Sequence, residues 1–147
     1  MSDAQQTTPP YLAVLAGGPP VSELAGFAVS VRPERDAVYV TPCGELDIAT
    51  ADRLAEQVHE LADAGFHRVV VDLRELTFLD LSGVRLLCEL DATARADGWE
   101  FELIQGRAAV RRLLVFTETL ALLPFATTMP PPLRRAVSRN QAFLNAT

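Results

Sequence analysis

Phe78-Leu79-Asp80-Leu81-Ser82-Gly83-Val84 follows the apolar run Val69-Val70-Val71-Asp72-Leu73 and leads into a helical pattern. A strand, a loop and then Asp-x-Ser-Gly opening a helix leave backbone N–H groups pointing outward. Such a terminus suits a phosphate or a partner's acidic group. The Val-Val-Val core of the preceding run, read as a strand from His67 to Leu73, implies burial on both faces, as in a parallel sheet. Downstream, Val84, Leu87, Leu90 and Ala94 recur at helical spacing and the pattern ends near Gly98. Trp99 to Ile104 alternates Phe101 and Leu103 with Glu100 and Glu102, a strand that Gly106 breaks. Arg107 to Thr117 reads as a third helix with Val110, Leu113 and Leu114 inward, and Leu120 to Phe125 as a last short element.

Upstream, Phe27 to Val31 and Ala37 to Thr41 read as a hairpin around the turn Pro33-Glu34-Arg35-Asp36. Pro42 has no ladder donor, so the second strand should bulge, end or lie at an edge there. Thr50 is expected to cap a helix running to about Ala64, with Asp52 in its first turn, Leu54, Val58 and Leu61 buried, and Gly65 closing it. The expected fold is α/β, a mixed four- to five-stranded sheet with three main helices packed mostly on one face. Residues 1–26, with four Pro and Gly17-Gly18, read as a flexible leader. Residues 27–125 form the domain, and residues 126–147 a Pro- and Arg-containing tail with no acid.

Composition narrows the function. At 147 residues the chain is one domain with tails. Its net charge of -6 disfavours nucleic-acid backbones and anionic membranes, so no direct DNA binding is expected. All 13 basic residues are Arg, which excludes a Walker-type, Schiff-base or other catalytic Lys. No apolar stretch approaches the ~20 residues of a membrane span, so no membrane insertion is expected. Tyr11 to Ala16 has no preceding Lys or Arg and does not read as a signal peptide. Cys43 and Cys88 are expected to be small, reduced, buried thiols of a cytoplasmic protein, with a redox pair as the minor alternative. His59 and His67 lack the neighbours of a metal site, and neither a metal nor a cofactor is expected.

Three segments, in order, resemble the STAS domain of bacterial anti-sigma factor antagonists. Gly44-Glu45-Leu46-Asp47-Ile48-Ala49-Thr50-Ala51 is similar to that family's segment before its first helix. Val69-Val71-Asp72-Leu73 with Thr77-Phe78-Leu79-Asp80 is similar to its central strand and phosphorylation-loop approach. Ala109-Val110-Arg111-Arg112-Leu113-Leu114 is similar to its third helix. The resemblance covers roughly residues 27–125. It implies a non-catalytic regulator that binds a serine-kinase anti-sigma factor and frees a sigma factor by partner switching. In the family the loop reads Asp-Ser-Ser-Gly or Asp-Ser-Thr-Gly, and the first Ser is phosphorylated by the partner to break the complex. Leu81 stands at that position here, Ser82 and Gly83 match the two that follow, and the usual phosphorylation site is lost. The alternative reading is a STAS scaffold or assembly subunit, either stressosome-like or the accessory subunit of a lipid-transport ABC system. A homodimer through a sheet edge is compatible with either.

Each singled-out residue has a structural and a functional reading. Asp80, Leu81, Ser82 and Gly83 form the expected partner-binding loop. Ser82 is read first as the N-cap hydroxyl of the second helix and second as a surrogate phosphorylation site. Asp80 either accepts backbone N–H bonds at the helix start or orients a partner's nucleotide. An exposed Leu81 would favour binding, and a buried one would mean added core. Glu45 and Asp47 are expected on a secondary partner surface, with turn chemistry as the competing role. Arg111 and Arg112 are read as exposed opposite Leu113 and Leu114.

Overall fold

The Val69-Val70-Val71 run forms the middle of a central strand. In the computed structural model, which describes residues 22–24 and 26–126, the chain order is β1 (Ser22–Leu24), β2 (Phe27–Pro33), β3 (Val38–Leu46), α1 (Ala51–Asp63), β4 (Arg68–Asp72), a 3-10 turn (Leu73–Glu75), β5 (Leu76–Leu79), α2 (Leu81–Asp97), β6 (Glu100–Ile104) and α3 (Ala108–Phe116). The sheet path is β1-β2-β3-β4-β6, with β5 joining β3 beyond the end of β4. β1, β2 and β3 are antiparallel, while β4, β5 and β6 run parallel to their neighbours, so the sheet is mixed as expected. The expected leader and tail lie outside the described residues except at their inner ends. There the sheet begins at Ser22, ahead of Phe27, and Ala126 is still hydrogen-bonded to Leu103.

β4 is buried on both faces, as its three valines imply. Val69 and Val71 join the main core with Val29 and Val31 of β2, Val40 of β3 and Leu103 of β6. Val70 faces the other way, into a small cluster with Ala37 and Ile104. Leu54, Val58 and Leu61 of α1, Leu87 and Leu90 of α2, and Val110 and Leu114 of α3 all enter the main core, so the three helices cover one face. Each such side chain contributes about 1.5–3 kcal/mol on burial. α2 stops where Gly98 adopts φ 83, a left-handed conformation that costs glycine little.

Three sequence expectations change in detail. β3 neither ends nor lies at an edge at Pro42; it runs on to Leu46 in the middle of the sheet, and its irregularity comes further on, as a register shift against β5 between Gly44 and Glu45. Its parallel register with β4 ends at Val40↔Val71, and its register with β5 begins at Gly44↔Leu76. Pro42 therefore falls where β3 changes partner on that flank, a place that tolerates a missing donor. Leu76–Leu79, read as loop, forms β5, a strand too short to show a period. The last element is a single bridge, Leu103↔Phe125. Leu103 N donates to Pro124 O at 3.0 Å and Ala126 N to Leu103 O at 2.8 Å, so the chain itself covers the outer edge of β6 at that point.

Candidate functional site

The C-terminal ends of β3 and β5 lie side by side, with Leu46 paired to Leu79. Asp80 N donates to Leu46 O at 3.2 Å and ties the two following turns together. One turn runs from Glu45 to Thr50, and the other opens α2.

Asp80 is the N-cap of α2. Its backbone is extended (φ -113, ψ -173), and its carboxylate accepts from Gly83 N at 3.0 Å. The carboxylate thus satisfies one of the free N–H groups of the first turn and places negative charge at the positive end of the helix. Ser82 is therefore not the cap, contrary to the first reading of its hydroxyl. Both residue types cap well, but Ser82 already lies inside the helix, where its backbone cannot take the extended cap conformation. Ser82 is half-buried and makes no side-chain hydrogen bond among the described residues.

Gly83 is buried for a packing reason. A Cβ there would run into Leu79 Cδ1 and lie 3.0 Å from Leu46 O. Glycine lets the first turn of α2 sit this close on the ends of β3 and β5 without displacing Leu79 or the Leu46 carbonyl. Leu81, the first helical residue, is 63% exposed, so it adds nothing to the core. Of the four loop residues, Asp80 and Gly83 build the turn; Leu81 faces solvent and Ser82 lies partly open beside it.

The other turn is held by its own polar groups. Asp47 Oδ1 accepts from Ala49 N at 2.9 Å and from Thr50 N at 3.2 Å. Thr50 Oγ1 donates to Glu45 O at 2.7 Å and accepts from Asp47 N at 3.0 Å. Thr50 occupies the N-cap position of α1 as expected, but its hydroxyl serves this turn and does not cap the helix. Asp47 is thereby committed to turn chemistry, whereas Glu45 is exposed. Ile48, at the tip, is 80% exposed.

Below this end of the sheet, Asp72 closes β4. It is buried, accepts from Arg74 N at 3.0 Å, and is gripped by the Arg74 guanidinium, Nη2 to Oδ2 at 2.8 Å. That contact raises the pKa of Arg74, first through the hydrogen bond to Asp72. Arg107 Nε donates to Arg74 O at 3.2 Å and fastens the start of α3 to the same turn.

Sequence reading missed a second group of exposed apolar side chains. Phe78 of β5 and Val115 and Phe116 of α3 are all exposed and line one groove with Arg111 and Arg112. The helical spacing of Val110, Leu113 and Leu114 already puts Val115 and Phe116 off the buried stripe. Phe78 gave no such signal, because β5 was read as loop.

The remaining candidates lie elsewhere. His59 and His67 are exposed, and among the described residues no group of three or more His, Cys, Asp or Glu is placed to hold a metal. Trp99 packs edge-on against Phe101 at the core rim, with ring centroids 6.2 Å apart. Cys43 and Cys88 are free and partly buried. Burial, assisted by Glu75 and Asp72 at Cys43 and by Asp91 and Glu89 at Cys88, raises both thiol pKa values and keeps the thiols protonated. Among the described residues no helix is long and apolar enough to cross a membrane.

Comparison with known proteins places this geometry. A family model described as "Mlab, STAS domain" matches residues 29–121. Osmosensory protein A of Mycobacterium tuberculosis is 36% identical over 77 residues, which are 52% of this chain and 48% of that protein, so the chain spans about half the length of this curated relative. An anti-sigma factor antagonist from Mycobacterium paratuberculosis superposes with a TM-score of 0.60 at 23% identity, covering 82% of this chain and 98% of the other. The Bacillus cell fate determinant SpoIIAA in its phosphorylated form superposes with a TM-score of 0.52 at 20% identity, covering 76% and 98%. At these identities the two structures share the fold. The family model spans every main element from β2 to α3, and on that match the chain belongs to the STAS domain family.

Proposed function

We propose that this STAS domain is a non-catalytic, cytoplasmic binding module that docks on a serine-kinase anti-sigma factor and frees its sigma factor. The observation that carries the reading is Leu81: 63% exposed on the first turn of α2, at the position where the family's phosphorylated serine stands. An exposed leucine on a turn braced by Asp80 and Gly83 is a preorganised anchor for a desolvated contact. It also removes the switch. Phosphorylation would add about 1.5–2 negative charges to such a contact, and leucine has no hydroxyl to accept them. Glu45 supplies a charge on the same end of the sheet, and Ser82 is the only hydroxyl on the first turn of α2.

The test is affinity capture of the full chain from its source cells, beside the Leu81→Asp variant, with phosphosite mapping of the bait. A serine-kinase anti-sigma factor recovered by the wild type, absent with Leu81→Asp, and no phosphate on the bait support the reading. Recovery of ABC transporter subunits and no kinase would refute it. The same permanently apolar Leu81 also suits a constitutive contact, and this favours the second reading, a scaffold or assembly subunit. In that case the captured proteins are components of an assembly and include no serine-kinase anti-sigma factor.

A further inference from the structure

We infer that the groove between β5 and α3 is a second docking site, and that it takes an acidic amphipathic helix of a partner protein. The inference rests on the reading of the chain as a binding module but not on which partner Leu81 contacts.

The groove has a volume of about 700 Å³ and is lined by Phe78, Val115 and Phe116 together with Arg111 and Arg112. Phe116 is 84% exposed, Val115 50% and Phe78 47%. Large apolar side chains gathered in one open depression mark a contact surface, since isolated exposed ones carry no such meaning. The elements that form the groove are fixed, since Leu79 of β5 and Val110 and Leu114 of α3 are buried in the main core.

Charge selects the occupant. The chain has a net charge of -6, yet α3 and its N-cap carry Arg107, Arg111 and Arg112 and no acid. Arg107 is engaged with the carbonyl of Arg74. Arg111 and Arg112 are exposed and form no ion pair among the described residues, and no acidic side chain lines the groove. An apolar groove lined with basic groups, on an otherwise acidic molecule, is complementary to apolar anchors flanked by Asp or Glu.

Other occupants fit less well. The chain's own residues 127–147 carry three Arg and no acid, the same sign as Arg111 and Arg112. A second copy related by a two-fold axis would bring together two basic patches with no acid lining either. An acyl chain needs a pocket that encloses most of its surface, and this groove is open along its length. A helix with anchors at i, i+3 or i+4 and i+7 fills an open groove with one face and reaches the arginines with its flanks.

The experiment is selection of a randomised helical-peptide display library against the full chain, repeated on the Arg111→Glu/Arg112→Glu variant. Both substitutions are at exposed positions, and a thermal melt checks that the variant folds. The expected result is enrichment of peptides with helical apolar spacing and acidic flanks. Their binding should shift the amide resonances of Phe78, Val115 and Phe116, and weaken at least tenfold on the charge-reversed variant. Selection on that variant should turn the flanks basic. No enrichment, flanks indifferent to the reversal, or shifts confined to Ile48 and Leu81 overturns the inference. The last outcome leaves the role of Leu81 standing. Oleate perturbing the groove where no peptide does also overturns it, in favour of an acyl ligand.

Discussion

Asp80 and Gly83 spend their chemistry on holding the first turn of α2, and this leaves Leu81 and Ser82 as its outward content. Asp80→Ala should remove the only side-chain cap of α2 and lower the unfolding free energy by about 1 kcal/mol, read by urea denaturation. Gly83→Ala forces a Cβ against Leu79 and Leu46 and should lower it by about 1–3 kcal/mol in the same measurement. Leu81→Ser, at an exposed site, should change stability by less than about 0.5 kcal/mol, so any loss of partner binding there reports contact and not unfolding. Both thiols have raised pKa values, so iodoacetamide should alkylate Cys43 and Cys88 more slowly than free cysteine at neutral pH, and faster as pH rises. At this scale the sequence marked the helix start and offered both Asp80 and Ser82 for its free N–H groups without choosing between them. Asp and Ser are both good N-caps, and the choice between them lies in backbone angles that composition does not encode. Leu81 was legible as a substitution in a motif; its exposure was not.

Elements with a full period were read closely: α1, α2 and α3 lie within a residue or two of their expected bounds, with the expected buried stripes except at Leu113, which is only partly buried. Elements defined by pairing were not. β5 has four residues and exists because β3 continues past β4 and needs a partner there. β3 passes through Pro42 for the same reason, since the partner change makes room for the missing donor. Both depend on contacts distant in sequence. The turn after β4 is held by the buried Asp72 and its Arg74 clamp. Asp72→Ala should leave that guanidinium without its carboxylate and cost about 3 kcal/mol, measured by denaturant midpoint at unchanged slope.

At the scale of the whole molecule, nearly all the exposed large apolar side chains among the described residues lie around β5. Ile48 and Leu81 stand at the strand ends, and Phe78, Val115 and Phe116 line the groove, with only Leu122 elsewhere among the described residues. On the opposite side of the sheet Val70, Ala37 and Ile104 are buried in a small cluster, and Pro124–Ala126 pairs with the β6 edge at Leu103. The proposed contacts thus fall on one side of the molecule, where Glu45 is paired with Phe78 across β3 and β5 and Arg111 and Arg112 line the groove beside Phe78. The central claim is that this surface binds an anti-sigma factor and that Leu81 removes the phosphorylation switch. The direct measurement is a calorimetric titration of the captured anti-sigma factor with wild type and Leu81→Ser, before and after incubation with ATP and Mg²⁺. The account predicts that ATP leaves the affinity of the wild type unchanged, while Leu81→Ser acquires phosphate at position 81 and loses affinity by about 100-fold or more, on the order of 3 kcal/mol. Phosphate on Ser82 of the wild type, with the complex dissolved, would contradict it.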